Sequence, residues 1–148
     1  MLTLAKLKQG TLKVMKKEPD WRKVSVIRST TTPLADEDAL VVTAKIKGSS
    51  GERYDSTIMF VDISVDEAKR AETCPRNNLK YQFKNKYYCV EKPSIKKTEV
   101  LVRCSCMDFY HRYAFYVKKQ GALYGGGLKK YTRKTTTRPS VNPTKTPG

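Results

Sequence analysis

The chain has 148 residues, a length that fits one domain of ordinary size. Its 30 Lys and Arg against 14 Asp and Glu give a formal net charge of +16, and 39% of its residues are hydrophobic. No stretch approaches the roughly 20 consecutive apolar residues of a membrane-spanning helix, so we do not expect a membrane protein of that kind. The positive charge indicates an anionic partner, either nucleic acid or an acidic protein surface.

The N-terminal segment, residues 1–23, is basic and weakly patterned, and we expect it to form an extended arm. Leu2, Leu4 and Leu7 are candidate anchors within it. Lysines interrupt its apolar residues every few positions, so we expect no secretory signal. The thiols are then expected to meet a reducing cytosol, which argues against structural disulfides.

The next part of the chain, residues 24–128, is expected to form the core domain. A short strand is predicted at 24–28 and a loop at 30–38. The β-branched and aromatic runs 39–47 and 53–64 flank the turn-forming sequence GSSGE, and this pattern predicts a hairpin.

The second half of the core combines predicted strands with helical spacing. Residues 65–72 predict one or two helical turns, 73–97 contain turn sequence and one or two strands, and 98–104 predicts another strand. Apolar residues then recur at three- and four-residue spacings, which predicts a helix near 108–120, capped by Asp108 and ended by Gly121. The fold expected is therefore α+β: a small, mainly antiparallel β-sheet with a C-terminal helix and extended terminal arms.

The C-terminal segment, residues 129–148, is expected to be an extended basic tail. It is rich in threonine and proline and has almost no apolar residues, so it cannot bury enough surface to order itself without a partner. Its basic side chains are expected to contact nucleic-acid phosphates or an acidic neighbouring subunit. These candidate partner-binding residues are Lys129, Lys130, Arg133, Lys134 and Arg138.

Two of the four cysteines, Cys104 and Cys106, stand one residue apart where the 98–104 strand ends. In an extended backbone both sulfurs point to the same face, as two adjacent ligands of a zinc ion require. The alternative is that two small side chains pack in a strand–helix corner. Further candidate ligands are Cys74, Cys89 and His111, although the spacings match no C-x-x-C zinc ribbon.

Aromatic and basic residues interleave between positions 80 and 88, a composition typical of base stacking combined with phosphate contacts. The candidate nucleic-acid-binding residues are Tyr81, Phe83, Lys84, Lys86 and Tyr87. The alternative is an ordinary strand with its aromatic row in the core and its lysines outside. No catalytic constellation is apparent around the single histidine, and YGGGLKK lacks the spacing of a phosphate-binding P-loop, so we do not expect an enzyme.

The sequence VLVRCSCMDFYHRYAFY, with the later GALYGGG and RPSVNPTKTPG, resembles the SWIM-type zinc-binding segment of a set of tailed-bacteriophage virion proteins. In that pattern a strand ends in C-x-C, and an aromatic helix containing arginine follows. A Gly-rich link and an Asn-Pro…Pro-Gly stretch then lead to a closing C-x-H pair. The matching positions are Cys104, Cys106, Asp108, Phe109, Arg112, Gly125, Asn142, Pro143, Pro147 and Gly148.

This resemblance covers about the last third of the chain and implies that Cys104 and Cys106 are zinc ligands. The closing C-x-H pair would follow Gly148, so either this sequence is shortened, or the site is open, or the remaining ligands come from Cys74, Cys89 or a neighbouring subunit. The resemblance also implies a structural role in a bacteriophage virion, in the tail, baseplate or neck, after assembly with other virion proteins in the host cytoplasm. The alternative function is a nucleic-acid-binding zinc module that uses the aromatic stretch and the basic tail.

Overall fold

The computed structural model describes residues 1–14, 24–48, 51–70, 73–106 and 109–125. Over these ranges the chain forms a four-stranded sheet, a three-stranded sheet and two α-helices. The predicted α+β class with mainly antiparallel strands is confirmed. The elements are α1 (Leu4–Val14), β1 (Ser25–Leu34), β2 (Ala39–Lys47), β3 (Arg53–Phe60), β4 (Val65–Ala68), β5 (Asn78–Phe83), β6 (Lys86–Glu91), β7 (Val100–Cys104) and α2 (Ala114–Lys119).

The four-stranded sheet has the order β1-β2-β3-β7, with all neighbouring strands antiparallel. Strands β2 and β3 form the predicted hairpin, in which Leu40 lies opposite Phe60. At its tip the backbone N–H of Gly48 donates to the carbonyl of Glu52 at 2.9 Å. Gly51 has φ +84, a conformation that glycine adopts without steric cost.

Strand β1 is longer than the sequence predicts. It continues through most of the expected loop at 30–38, because the run of β-branched threonines favours an extended backbone. Pro33 is compatible with this strand since β1 lies at the edge of the sheet. Its register against β2 shifts between Val26 and Arg28, which is a β-bulge.

The three-stranded sheet has the order β4-β6-β5. The predicted helix at 65–72 is wrong, because β4 occupies Val65–Ala68 and buries Val65 opposite Val90 of β6. Strands β5 and β6 are joined through Lys84 and Asn85, which both have positive φ, the backbone of a two-residue type I′ turn. The stretch 73–97 therefore contains two strands.

The N-terminal segment differs from the extended arm expected at 1–23, because α1 is a helix. The hydroxyl of Thr3 accepts a hydrogen bond from the backbone N–H of Lys6 at 3.3 Å and caps its first turn. Leu2 is buried, and Leu4 and Leu7 pack against the same hydrophobic cluster, as expected of anchors. Residues 15–23 and the predicted tail at 129–148 lie outside the described residues.

The hydrophobic core lies mainly on one face of the four-stranded sheet, which we call the inner face. Helices and terminal segments cover its β7 side, and the three-stranded sheet covers its β2 side. A smaller cluster around Val41 and Met59 covers only one end of the opposite, outer face. Inner-face residues that take part in this packing are Leu40, Ile58, Phe60, Val100 and Val102.

The predicted C-terminal helix is present, with a change of geometry in its first turn. Residues Phe109–Tyr113 form a π-helical turn that continues into α2, and Asp108 lies outside the described residues. Gly121 ends the helix with φ +70, and its N–H donates to the carbonyl of Lys118 at 2.9 Å. The N–H of Ala122 donates to the carbonyl of Val117 at 3.0 Å, which completes a Schellman motif.

Replacing Gly121 with alanine should lower the free energy of unfolding, because alanine adopts the backbone conformation of this position less readily than glycine. A Cβ atom at this position would meet nothing within 4 Å, so no clash arises. The left-handed conformation would cost about 1 to 2 kcal/mol in an L-residue. We expect a lower urea midpoint for Gly121→Ala, with an unchanged slope, whereas Gln120→Ala at the neighbouring exposed position should match the wild type. Equal midpoints for the two variants would contradict this account.

Candidate functional site

The thiol pair lies at the end of β7, on a segment that neighbouring backbone holds in place. Cys104 is opposite Ser56 of β3. The intervening Ser105 is clamped to Asp55: its N–H donates to the Asp55 carbonyl at 2.9 Å, and its hydroxyl accepts from the Asp55 N–H at 2.9 Å. The position of both cysteines is therefore fixed by the β3–β7 pairing.

Both sulfurs accept hydrogen bonds from the backbone. The N–H of Cys106 donates to Sγ of Cys104 at 3.4 Å, and the N–H of Phe109 donates to Sγ of Cys106 at 3.3 Å. Hydrogen bonds of this kind orient and stabilise a thiolate, which is the form of cysteine that ligates a metal. The π-helical turn at Phe109–Tyr113 follows directly, and such turns are frequent at functional sites. The two N–H donors suit sulfurs in the thiolate form, the form that zinc binds.

The other two cysteines are not available as ligands. Cys74 and Cys89 form a disulfide with a Cα–Cα distance of 5.3 Å, and a cysteine in a disulfide has no thiolate to donate to a metal. The expectation that the chain has no structural disulfide is therefore wrong, as is the candidacy of these two residues as zinc ligands. The bond links the turn before β5, which contains Cys74, to Cys89 of β6, whose side chain is buried.

His111 lies within the π-helical turn and is half-buried, with its ring edge-on to Tyr110 at a centroid distance of 5.2 Å. Over the described parts of the chain, no group of three or more His, Cys, Asp or Glu side chains is placed to hold a metal ion. His111 therefore does not join the two thiols in such a group. Among the described residues, Cys104 and Cys106 are the two cysteines outside the disulfide, and their role as zinc ligands stays a prediction.

The aromatic and basic stretch does not form one continuous surface. Tyr81 packs against the core between the two sheets, as the alternative interpretation of this stretch anticipated. The amine of Lys84 lies 5.4 Å from the ring centre of Phe83, and Lys86 pairs with Glu67 at 3.7 Å. Tyr87 neighbours Lys86 along β6 and so points to the opposite face of that sheet.

The candidate partner-binding residues of the tail lie outside the described residues, so the structure places none of them. They are Lys129, Lys130, Arg133, Lys134 and Arg138.

Two surface features are visible only in the structure. An apolar patch of Val24, Val26 and Ile27 lies at the free end of β1, and these side chains are 46%, 62% and 44% exposed. The outer face of the four-stranded sheet is basic and rich in threonine away from its apolar end. The alternation of side chains along each strand could have predicted which residues share that face. The sequence does not show which residues lie side by side on it, because that depends on the register between neighbouring strands.

Comparison with models of known protein families, with curated proteins and with solved structures finds no match to this chain. Among the described residues, neither helix has the length and apolar character needed to cross a membrane.

Thiol titration should separate the two cysteine pairs. In denatured protein purified without reductant, we expect two reactive thiols per chain, because Cys104 and Cys106 are not disulfide-bonded while Cys74 and Cys89 are. Full reduction should raise the count to the four cysteines of the sequence. The variant Cys104→Ser/Cys106→Ser should show none before reduction. Four thiols in unreduced wild type would contradict the disulfide.

Proposed function

We propose that the protein is a non-enzymatic structural component of a bacteriophage virion, in the tail, baseplate or neck. In this role it binds neighbouring virion proteins that carry acidic surfaces. The observation that best supports this proposal is the apolar patch of Val24, Val26 and Ile27. Three of the five exposed large hydrophobic side chains of the described residues fall within four consecutive positions, at the edge of a sheet. A cluster of this kind at an edge strand is typical of a protein–protein contact.

The charge of the chain supports an acidic partner for this contact. The net charge of +16 opposes self-association of free chains and favours a complementary negative surface. Arg28 and Lys47 stand beside the apolar patch on β1 and β2. The basic tail at 129–148 would add further contacts to the same class of partner, in agreement with the resemblance to virion proteins.

Incorporation into particles tests this proposal directly. Immunogold labelling of particles purified from the infected host that carries the gene should mark the tail, baseplate or neck. The variant Val26→Asp/Ile27→Asp should fold but fail to incorporate, because charge in the patch must be desolvated against an acidic partner. Ile95→Asp is a matched control, since Ile95 is 62% exposed and lies away from the patch.

Two results would contradict the structural role. One is wild-type protein that stays in the soluble fraction of the lysate and is absent from purified particles. The other is a particle content of Val26→Asp/Ile27→Asp equal to that of wild type, which would remove the patch as the contact.

The second candidate function, a nucleic-acid-binding zinc module, is favoured by the geometry of the thiol pair. The backbone N–H groups directed at both sulfurs suit thiolate ligands, and zinc would cross-link this segment to a second ligand pair. The described residues supply Cys104 and Cys106 only, so the other ligands would come from another chain or from residues outside the described ranges.

Zinc content measured by elemental analysis tests the metal hypothesis without any activity assay. Wild-type protein expressed with added zinc should retain the metal through gel filtration, and Cys104→Ser/Cys106→Ser should lose it. Cys74→Ser/Cys89→Ser should keep the metal, because those sulfurs are engaged in the disulfide. Wild type without zinc, or zinc that survives in Cys104→Ser/Cys106→Ser, would exclude the thiol pair as a site.

A further inference from the structure

Strand register gathers polar side chains on the outer face of the four-stranded sheet. Thr30 lies opposite Thr43, Thr43 opposite Thr57, and Thr57 opposite Arg103, so one row crosses all four strands. The next row toward the hairpin tip contains Arg28, Lys45 and Asp55. Rows on one face of a strand are about 7 Å apart. The residues of these rows on β1, β2 and β3 line an open groove of about 320 Å³, and Arg103 lies beyond it on β7.

The charge on this face is strongly one-sided. Register places five cationic side chains on it: Arg28, Lys45, Lys47, Arg53 and Arg103. Asp55 lies on the same face, and its carboxylate forms a salt bridge with the amine of Lys45 at 3.3 Å. Glu52, at the hairpin tip, accepts a hydrogen bond from the Tyr54 hydroxyl, and Tyr54 neighbours Arg53 and so projects from the inner face. The outer face therefore keeps a surplus of positive charge, and Arg28 and Lys45 are the cationic side chains that line the groove itself.

Among the described residues, the packing of the core leaves this face accessible. The inner face is covered by the helices and the second sheet. On the outer face, the cluster of Val41, Met59 and Tyr124 begins beyond the threonine row. Arg103 stands at the boundary, with its guanidinium donating to the carbonyl of Tyr124 at 3.0 Å. Thr30 and Thr43 are exposed, and the Thr43 hydroxyl donates to the Thr30 carbonyl at 3.5 Å, a long hydrogen bond that one to a phosphate oxygen could replace.

We propose that this basic, threonine-lined outer face binds the phosphodiester backbone of a nucleic acid, without regard to base sequence. Arginine, lysine and threonine side chains are common donors to phosphate oxygens. The rows contain no aromatic side chain that could stack on bases, which favours backbone contacts over sequence readout. The cores of protein–protein interfaces are depleted in charge and enriched in aromatic residues, and this face has the opposite composition.

This site borders the apolar patch, because Arg28 and Lys47 stand beside it. It shares no residue with the aromatic stretch at 80–88, the thiol pair or the apolar patch, although it lies on the same sheet as the patch. It does not depend on the proposed virion role, because a nucleic-acid contact would serve a protein inside or outside a particle.

Fluorescence anisotropy with labelled duplex DNA, measured on the full chain over a series of salt concentrations, tests the proposal. In the variant Arg28→Gln/Lys47→Gln/Arg53→Gln, the slope of log affinity against log salt should fall by about 2 to 3, because each lost phosphate contact removes about 0.9. Affinity at about 0.1 M salt should fall at least roughly tenfold. Lys45 and Arg103 are left intact because they pair within the protein.

The matched control is Lys92→Gln/Lys96→Gln/Lys97→Gln, which changes the net charge equally at exposed positions elsewhere. It should keep the wild-type slope, and two duplexes of unrelated sequence should bind alike. The variant Thr43→Val removes a hydroxyl without changing charge, so it should weaken binding at fixed salt and leave the slope unchanged. Thermal unfolding would confirm that each variant is folded.

Three outcomes would overturn the proposal. Equal losses in the face variant and the matched control would show a general charge effect. No binding of duplex DNA or single-stranded RNA to wild type at moderate salt would exclude a nucleic-acid ligand. Binding of polyglutamate that depends on Arg28, Lys47 and Arg53, with no binding of nucleic acid, would assign the face to an acidic protein instead.

Discussion

The pairing of β7 with β3 is the interaction on which the rest of the structure depends. One edge of β7 bonds to β3 from Ser56 to Phe60, and its other edge receives both terminal parts of the described chain. The N–H of Val100 donates to the carbonyl of Leu2 at 2.9 Å, and the N–H of Val102 donates to the carbonyl of Ala122 at 2.8 Å. The N-terminal helix, the C-terminal helix and the thiol pair are therefore positioned by a single strand of five residues. Because this edge is closed, the open edge of the sheet lies at β1.

The same arrangement explains why the two faces of the sheet differ. Both helices and the three-stranded sheet lie on the inner face, where Val100 and Phe60 meet their clusters. Among the described residues, the short segment after α2 is what covers the outer face, and Tyr124 reaches its apolar end. Residues nearer the hairpin tip must therefore remain hydrated, which is compatible with threonine and lysine but not with large apolar side chains. The basic face is thus a consequence of the topology as well as of composition.

Local patterns predicted much of the fold, and failed where the outcome depended on distant partners. The hairpin at 39–47 and 53–64 was clear because its two runs are adjacent in the chain and have a strong turn between them. Helix termination at Gly121 was also local. The segment at 65–72 carried helical composition, but Val65 gains more by burial beside Val90, a residue far along the chain. No local signal pairs Cys74 with Cys89, because the turn before β5 and strand β6 meet only in the folded sheet. Strand alternation predicted that the sulfurs of Cys104 and Cys106 share a face, but β7 ends at Cys104. The donor to Cys106, the N–H of Phe109, comes from the π-helical turn and could not be foreseen from the strand pattern.

The open edge of β1 limits how a partner can approach it. The bulge near Ile27 interrupts the regular spacing of donors and acceptors, and Pro33 has no backbone N–H to offer. Between them only a short run of residues could pair with an added strand, so edge-to-edge addition is disfavoured. The bulge also displaces Ile27 from the register, and Val24, Val26 and Ile27 are all exposed at the end of the strand. A partner that docks here therefore contacts side chains at the tip of β1 rather than extending the sheet. The apolar patch also adjoins Arg28 and Lys47, so a partner docked at the tip of β1 would reach one end of the basic outer face.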